Sequence, residues 1–141
     1  QVTLIEGSGK LIVGKGFAGS EVSYKVAAEH IYGGTLAFVS ATTGFLTGDD
    51  NGGANAFAGV TKDECDNSGG SAGDLSVEVY SRGEFLLTGS SFVQATVRDK
   101  VYAIDNYTTQ ASSSSATLVG ICTELRSATQ IMVDIEAGTT A

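Results

Sequence analysis

The chain reads as an all-β protein, a small β-barrel or β-sandwich built from two internally repeated halves with glycine-rich turns. Three observations predict this. The first is composition: 19 glycines and no proline in 141 residues, with many Thr, Val, Tyr and Phe, suit short strands joined by glycine turns. The second is periodicity, since several segments alternate apolar and polar residues while helical stripes are missing. The third is an internal repeat of strand and turn patterns.

Strand candidates run the length of the chain. They are Val2–Ile5, Lys10–Val13, Glu21–Val26, Thr35–Val39, Gly83–Leu87 and Val101–Ile104. In "LSVEVYS", Leu75, Val77 and Val79 are expected on one face, with Ser76 and Glu78 on the other. In "QIMVDIE", Ile131, Val133 and Ile135 form the same pattern. The best helical candidate, "GVTKDECDN", gives no apolar stripe beyond about two turns.

The repeat appears when "GGTLAFVSATTGFLT" (33–47) is laid over "RDKVYAIDNYTTQAS" (98–112). Each segment has an apolar strand, a Ser or Asp, and a Thr-containing turn. A polar tip follows, "GDDNGGANA" in one half and "SSSSAT" in the other. Then "FAGVTKDE" (57–64) answers "LVGICTEL" (118–125), each with a central glycine between apolar neighbours. Each half closes with its alternating strand. This divides the chain into residues 1–29, an N-terminal arm and first strands, and residues 30–141, a β domain with repeats at about 30–80 and 92–136.

Charge and composition exclude several classes. A net charge of −8 with no Lys/Arg cluster argues against nucleic acid as a partner. No apolar run approaches the ~20 residues of a membrane helix; Leu118–Cys122 is strand-sized. No charged segment followed by an apolar one marks a signal peptide at the start, and the chain begins with Gln1, which leaves a trimmed or additional leader open. Cys65 and Cys122 do not make a disulfide scaffold; they are either two free thiols or a single bridge.

Motifs that could carry chemistry fall short of it. Asp49, Asp50 and Asn51 lack the alternating acids and distal Glu of a calcium loop, and their counterpart in the second half is a serine run. No metal site is expected there, only a solvated hairpin tip. "GSGKLIVGKG" (7–16) departs from the phosphate-loop pattern, because Leu11 follows Lys10, Gly16 follows Lys15 and no helix follows either. The only histidine, His30, is expected at the start of a strand. No G-x-S-x-G elbow accompanies it, and "TGSSF" (88–92) lacks the spacing. Asp105, Asp134 and Glu136 are expected on the solvent faces of their strands. Neither catalysis nor a cofactor is expected. Tyr24, Tyr32, Tyr80, Tyr102 and Tyr107 leave one alternative class, a lectin-like or adhesin-type β-sandwich that binds host-surface glycans.

One family resemblance covers residues 30–138. Its residues are Ile31-Tyr32-Gly33-Gly34, Gly59-Val60, Asp66-Asn67-Ser68-Gly69-Gly70, Val77-Glu78-Val79, Gly83-Glu84-Phe85 and Val101-Tyr102-Ala103-Ile104-Asp105. In this order they resemble the capsid cement, or decoration, proteins of tailed bacteriophages. The resemblance implies a β-barrel or sandwich on the outer surface of an icosahedral virion shell, made in the cytoplasm of a bacterial host. It would bind the major capsid protein, stabilise contacts between capsid subunits and perform no catalysis. Multivalent attachment lets modest contacts add up, so a homotrimer is expected, with a dimer as the alternative. Val2, Thr3, Leu4 and Ile5, an apolar run outside the repeat, are the candidate arm for contacts with neighbouring subunits.

Overall fold

Alternation of the Ser76–Tyr80 kind buries Val77 and Val79 and leaves Ser76 and Glu78 in water, and strands built this way dominate the molecule. The computed structural model describes residues 13–16, 20–112 and 115–141. In chain order the strands are β1 (Val13–Gly16), β2 (Glu21–Lys25), β3 (His30–Ile31), β4 (Leu36–Val39), β5 (Leu46–Thr47), β6 (Ala56–Thr61) and β7 (Cys65–Asp66). They continue with β8 (Ser76–Tyr80), β9 (Gly83–Gly89), β10 (Lys100–Ala103), β11 (Thr108–Gln110), β12 (Leu118–Ser127) and β13 (Gln130–Asp134). One helical turn, α1 (Glu136–Thr139), closes the chain.

The fold is all-β and its two halves share one topology. In the second, β9-β11-β10-β12-β13 closes on itself, because β13 pairs with β9. In the first, the order is β2-β8-β6-β4-β5, and a parallel bridge from Val26 to Leu46 brings β5 back beside the end of β2. Matching pairs run throughout. β4 pairs with β5 and β6 as β10 pairs with β11 and β12, and β2 pairs with β8 as β9 pairs with β13. The equivalence thus reaches one strand further upstream in each half than the sequence overlay does.

Register fixes the equivalence residue by residue. Ala37 lies opposite Gly59, with a ladder irregularity before Phe38; Val101 lies opposite Gly120, with the same irregularity before Tyr102. Phe57 to Val60 therefore matches Leu118 to Ile121, as the sequence overlay has it. The overlay of 33–47 on 98–112, however, is one residue out, because Ala37 and not Leu36 matches Val101. The cause is burial of β4 on both faces. Ala37 belongs to the core of the first half, while Leu36 and Phe38 belong to the larger cluster with Phe85, Val101, Val119 and Ile131. A strand buried on both sides shows no alternation, so the sequence carries no mark of which face is which. Burying Phe38 completely contributes on the order of 2–3 kcal/mol relative to leaving it exposed.

Other expectations shift at their edges. Leu75 precedes β8 and is 45% exposed, so it does not share the inward face of Val77 and Val79. Its carbonyl accepts from Val26 N at 2.9 Å, so it joins the ladder by its backbone while its side chain stays outside. Ile104 lies past the end of β10 and is 51% exposed. Glu136 lies in α1 rather than on a strand, where Gly138 packs against the Val119 carbonyl with no room for a Cβ.

Candidate functional site

The first polar tip is solvated, as expected, with Asn51 to Ala54 exposed, and it is anchored at its base. Its 3-10 turn, Asn51–Gly53, forms because Asp49 Oδ1 accepts from Asn51 N at 2.9 Å, and Asn51, Gly52 and Gly53 all take positive φ. The turn leans on the segment after the serine run. Thr117 N donates to Asp50 Oδ2 at 3.3 Å, and Thr117 Oγ1 donates to the Asn55 carbonyl at 2.8 Å. A Cβ on Gly53 would lie 2.9 Å from Ala116 N. Asn55, 6% exposed, ties the seam together: its Nδ2 donates to the Asp49 carbonyl at 2.8 Å and its Oδ1 accepts from Ala41 N at 2.9 Å. Burial pushes the Asp50 carboxyl above its usual range, against the opposing pull of the Thr117 hydrogen bond. The two halves are thus joined through their tips.

His30 starts β3, as expected, and lies opposite Asp66 of β7. Its Nε2 contacts Glu64 Oε2, its Nδ1 lies 3.9 Å from Asp66 Oδ2, and its ring stacks on Tyr32 with centroids 4.0 Å apart. Two carboxylates and the Tyr32 ring surround the imidazole, and among the described residues no Ser, Thr or Cys side chain is hydrogen-bonded to it. A nucleophile–base pair needs such a contact. Asp66 is held below the usual carboxylate range, first by the Ser68 hydroxyl, which donates at 2.6 Å, then by Ser68 N. Beside this ladder, Glu29 accepts from Thr47 Oγ1 at 3.0 Å and Gly48 N at 2.9 Å, so its carboxylate is engaged in holding β5.

Among the described residues no three His, Cys, Asp or Glu side chains converge as a metal centre would require. Cys65 and Cys122 are free, buried thiols whose pKa values are pushed up chiefly by burial. Asp105 departs from its expected strand position. It forms a turn after β10, accepting from Tyr107 N at 3.0 Å and Thr108 N at 2.8 Å. Asp134 stays on β13, opposite Ile121 and Glu84. The tyrosines are dispersed, with Tyr24 on β2, Tyr32 on His30, Tyr80 6.3 Å from Phe85, and Tyr102 on β10. The arm residues Val2, Thr3, Leu4 and Ile5, and most of "GSGKLIVGKG", lie outside the described residues.

Sequence reasoning missed Asp50, Asn55 and Thr117 as a joint. Their one visible signal was position, since the two tips follow equivalent strands.

The passage Asp66-Asn67-Ser68-Gly69-Gly70 has a structural role. Asn67, 2% exposed, donates through Nδ2 to the carbonyls of Ser71 at 2.9 Å, Ala27 at 3.2 Å and Val26 at 3.3 Å. That one amide ties the long loop between β7 and β8 to the end of β2. The chain matches no protein-family profile, no curated protein and no solved structure.

Proposed function

We propose that the protein is a phage head structural protein, a cement that binds the outer surface of an icosahedral shell and stabilises contacts between major capsid subunits. The observation that carries the reading is where the residues of the family resemblance fall. Gly59, Asn67, Val77, Val79, Phe85 and Val101 are all spent on the doubled barrel itself, in close strand approach, loop anchoring or core. Such a pattern specifies a body, and a body is what a cement requires: a rigid block with surfaces for neighbours. The polar clusters support the same reading, because the carboxylates of Glu29, Asp50 and Asp105 are engaged in holding loops.

The test is co-sedimentation of the protein with expanded, decoration-free phage heads, with light scattering of the free protein alongside. Saturable binding at a fixed ratio to the major capsid protein is expected. A well-folded protein that does not bind overturns the reading. In the same assay, deletion of residues 1–9 is expected to weaken attachment while leaving the barrels folded, which tests the arm at Val2–Ile5.

A further inference from the structure

The chain has four asparagines, and three of them directly follow an aspartate, in Asp50-Asn51-Gly52, Asp66-Asn67-Ser68 and Asp105-Asn106-Tyr107. An aspartate in a turn accepts from the backbone N–H two residues on. Each of these carboxylates therefore meets the N–H of the residue that follows the asparagine. Ser68 N donates to Asp66 Oδ1 at 3.0 Å, and Tyr107 N donates to Asp105 Oδ1 at 3.0 Å. Burial raises the Asp50 pKa while the N–H groups of Thr117 and Gly52 pull it down, so Gly52 N reaches its carboxylate too.

That nitrogen is the one placed by the chain to attack the asparagine side chain and close a five-membered ring. The attack expels the side-chain amide as ammonia and leaves a succinimide. It has three requirements. A base must accept the proton of the attacking N–H. The amide must be free to turn toward the nitrogen and to leave into water. The side chain of the following residue must not crowd the approach. Three sites have the carboxylate, and the other two requirements separate them.

Asn67 is buried, and its Nδ2 is held by the carbonyls of Ser71, Ala27 and Val26. The Asn106 amide has no hydrogen-bond partner, but it is 0% exposed and the nitrogen beside it carries the bulk of Tyr107. Asn55, which follows no aspartate, is buried with its amide engaged by the Asp49 carbonyl and Ala41 N. Asn51 alone meets both requirements. It is exposed, and its side chain makes no hydrogen bond among the described residues. The residue after it is Gly52, which has nothing within 4 Å of where a Cβ would lie.

We infer that Asn51 is a self-modification site, at which the Gly52 nitrogen attacks Asn51 Cγ and the Asp50 carboxylate takes the nitrogen's proton. The bond formed is Gly52 N to Asn51 Cγ, and the bond broken is Cγ to Nδ2. Asp50 returns the proton to the leaving nitrogen, which departs as ammonia. Water then opens the succinimide at either carbonyl, leaving an aspartyl or an isoaspartyl linkage. One water is consumed, one ammonia is released and no atom changes oxidation state. The product places a further carboxylate beside Asp49 and Asp50. Its isoaspartyl form also lengthens the backbone inside a turn that Gly53 N closes on the Asp50 carbonyl and Ala54 N on the Asn51 carbonyl, both at 3.1 Å. The modification thus acts on the seam where Asp50 meets Thr117.

The test incubates the full chain at neutral pH, native and in urea, and follows each asparagine by peptide mapping in a mass spectrometer. A gain of about 1 Da with isoaspartyl linkage is expected at residue 51 of the native protein. Asn51 is expected to react at least as fast in the native protein as in urea, whereas Asn67 reacts only in urea. Asp50→Asn keeps an oxygen for Thr117 N but cannot take a proton, and is expected to slow the reaction at residue 51 about tenfold or more. An Asn51 that stays unmodified overturns the inference, as does a native rate well below that in urea. Faster native reaction at Asn67 or Asn106, or an Asp50→Asn rate equal to that of the wild type, also overturns it. Should Asp50→Asn fail to fold, the comparison of native and unfolded rates decides the matter. The measurement uses no phage shell, so its failure is separate from failure of the cement reading.

Discussion

Gly59 and Gly120 occupy the same position in the two halves, and neither has room for a side chain. A Cβ on Gly59 would lie 2.0 Å from the Tyr80 carbonyl oxygen, and one on Gly120 would lie 2.2 Å from that of Asp134. Tyr80 and Asp134 are themselves counterparts, so each half brings its closing strand over its glycine-centred strand in the same way.

Gly59→Ala and Gly120→Ala are each expected to destabilise the protein by about 3 kcal/mol or more, because the obstructing atom is backbone and cannot turn aside. Gly59 also has a φ of +142°, which adds strain for any L side chain. Urea unfolding monitored by circular dichroism checks this. Gly52→Ala is the control: nothing lies within 4 Å of its Cβ position, so only the cost of its φ of +62° is expected, about 1 kcal/mol.

Asn67→Ala is expected to cost about 1–2 kcal/mol, since it removes the donor shared by the carbonyls of Ser71, Ala27 and Val26, each of which keeps one backbone donor, from Asp74, Glu29 and Gly73. Asn67→Asp should cost more than the alanine, because it points a carboxylate at carbonyl oxygens. If the two variants unfold at the same denaturant concentration, the donor role is wrong.

Asp50 has a folded-state pKa above the 3.8 of an ordinary Asp, so the folded state binds its proton more readily than the unfolded chain does. Its carboxylate therefore works against folding at neutral pH, and that handicap is relieved as pH falls through the folded pKa toward 3.8. Asp50→Asn keeps an oxygen for Thr117 N and is expected to raise Tm by a few degrees at neutral pH. The gain should shrink as the wild-type carboxyl protonates. A gain that grows on acidification would reverse the assignment.

Burial and raised pKa values at Cys65 and Cys122 predict slow thiol chemistry in the native protein. Titration with an aromatic disulfide reagent at neutral pH should show little reaction until denaturant is added, then two thiols per chain. Fast native reaction at either site would mean that its strand opens readily.

Much of the fold was legible because its marks are local. Alternation in 75–79 and 131–135 located β8 and β13, and the central glycines aligned β6 with β12 to the residue. The site was less legible. His30 could be placed at a strand start, but its carboxylate neighbours come from β7 and the loop before it, over thirty residues away. Nothing in "GDDNGG" announces that Asp50 will meet Thr117, because that contact depends on how the barrels face one another.

By itself, the sequence determined that strands form, where most of them run, that the pattern occurs twice and which glycines sit between apolar neighbours. These follow from side-chain period and turn chemistry, which act over a few residues. Only the tertiary structure decided that β4 is buried on both faces and that Asp50 and Asn55 meet Thr117 across the two halves. Those outcomes depend on packing one half against the other, and near-equal sequences can meet different neighbours. The repeat supplies two copies of one barrel, and their docking makes the copies unequal.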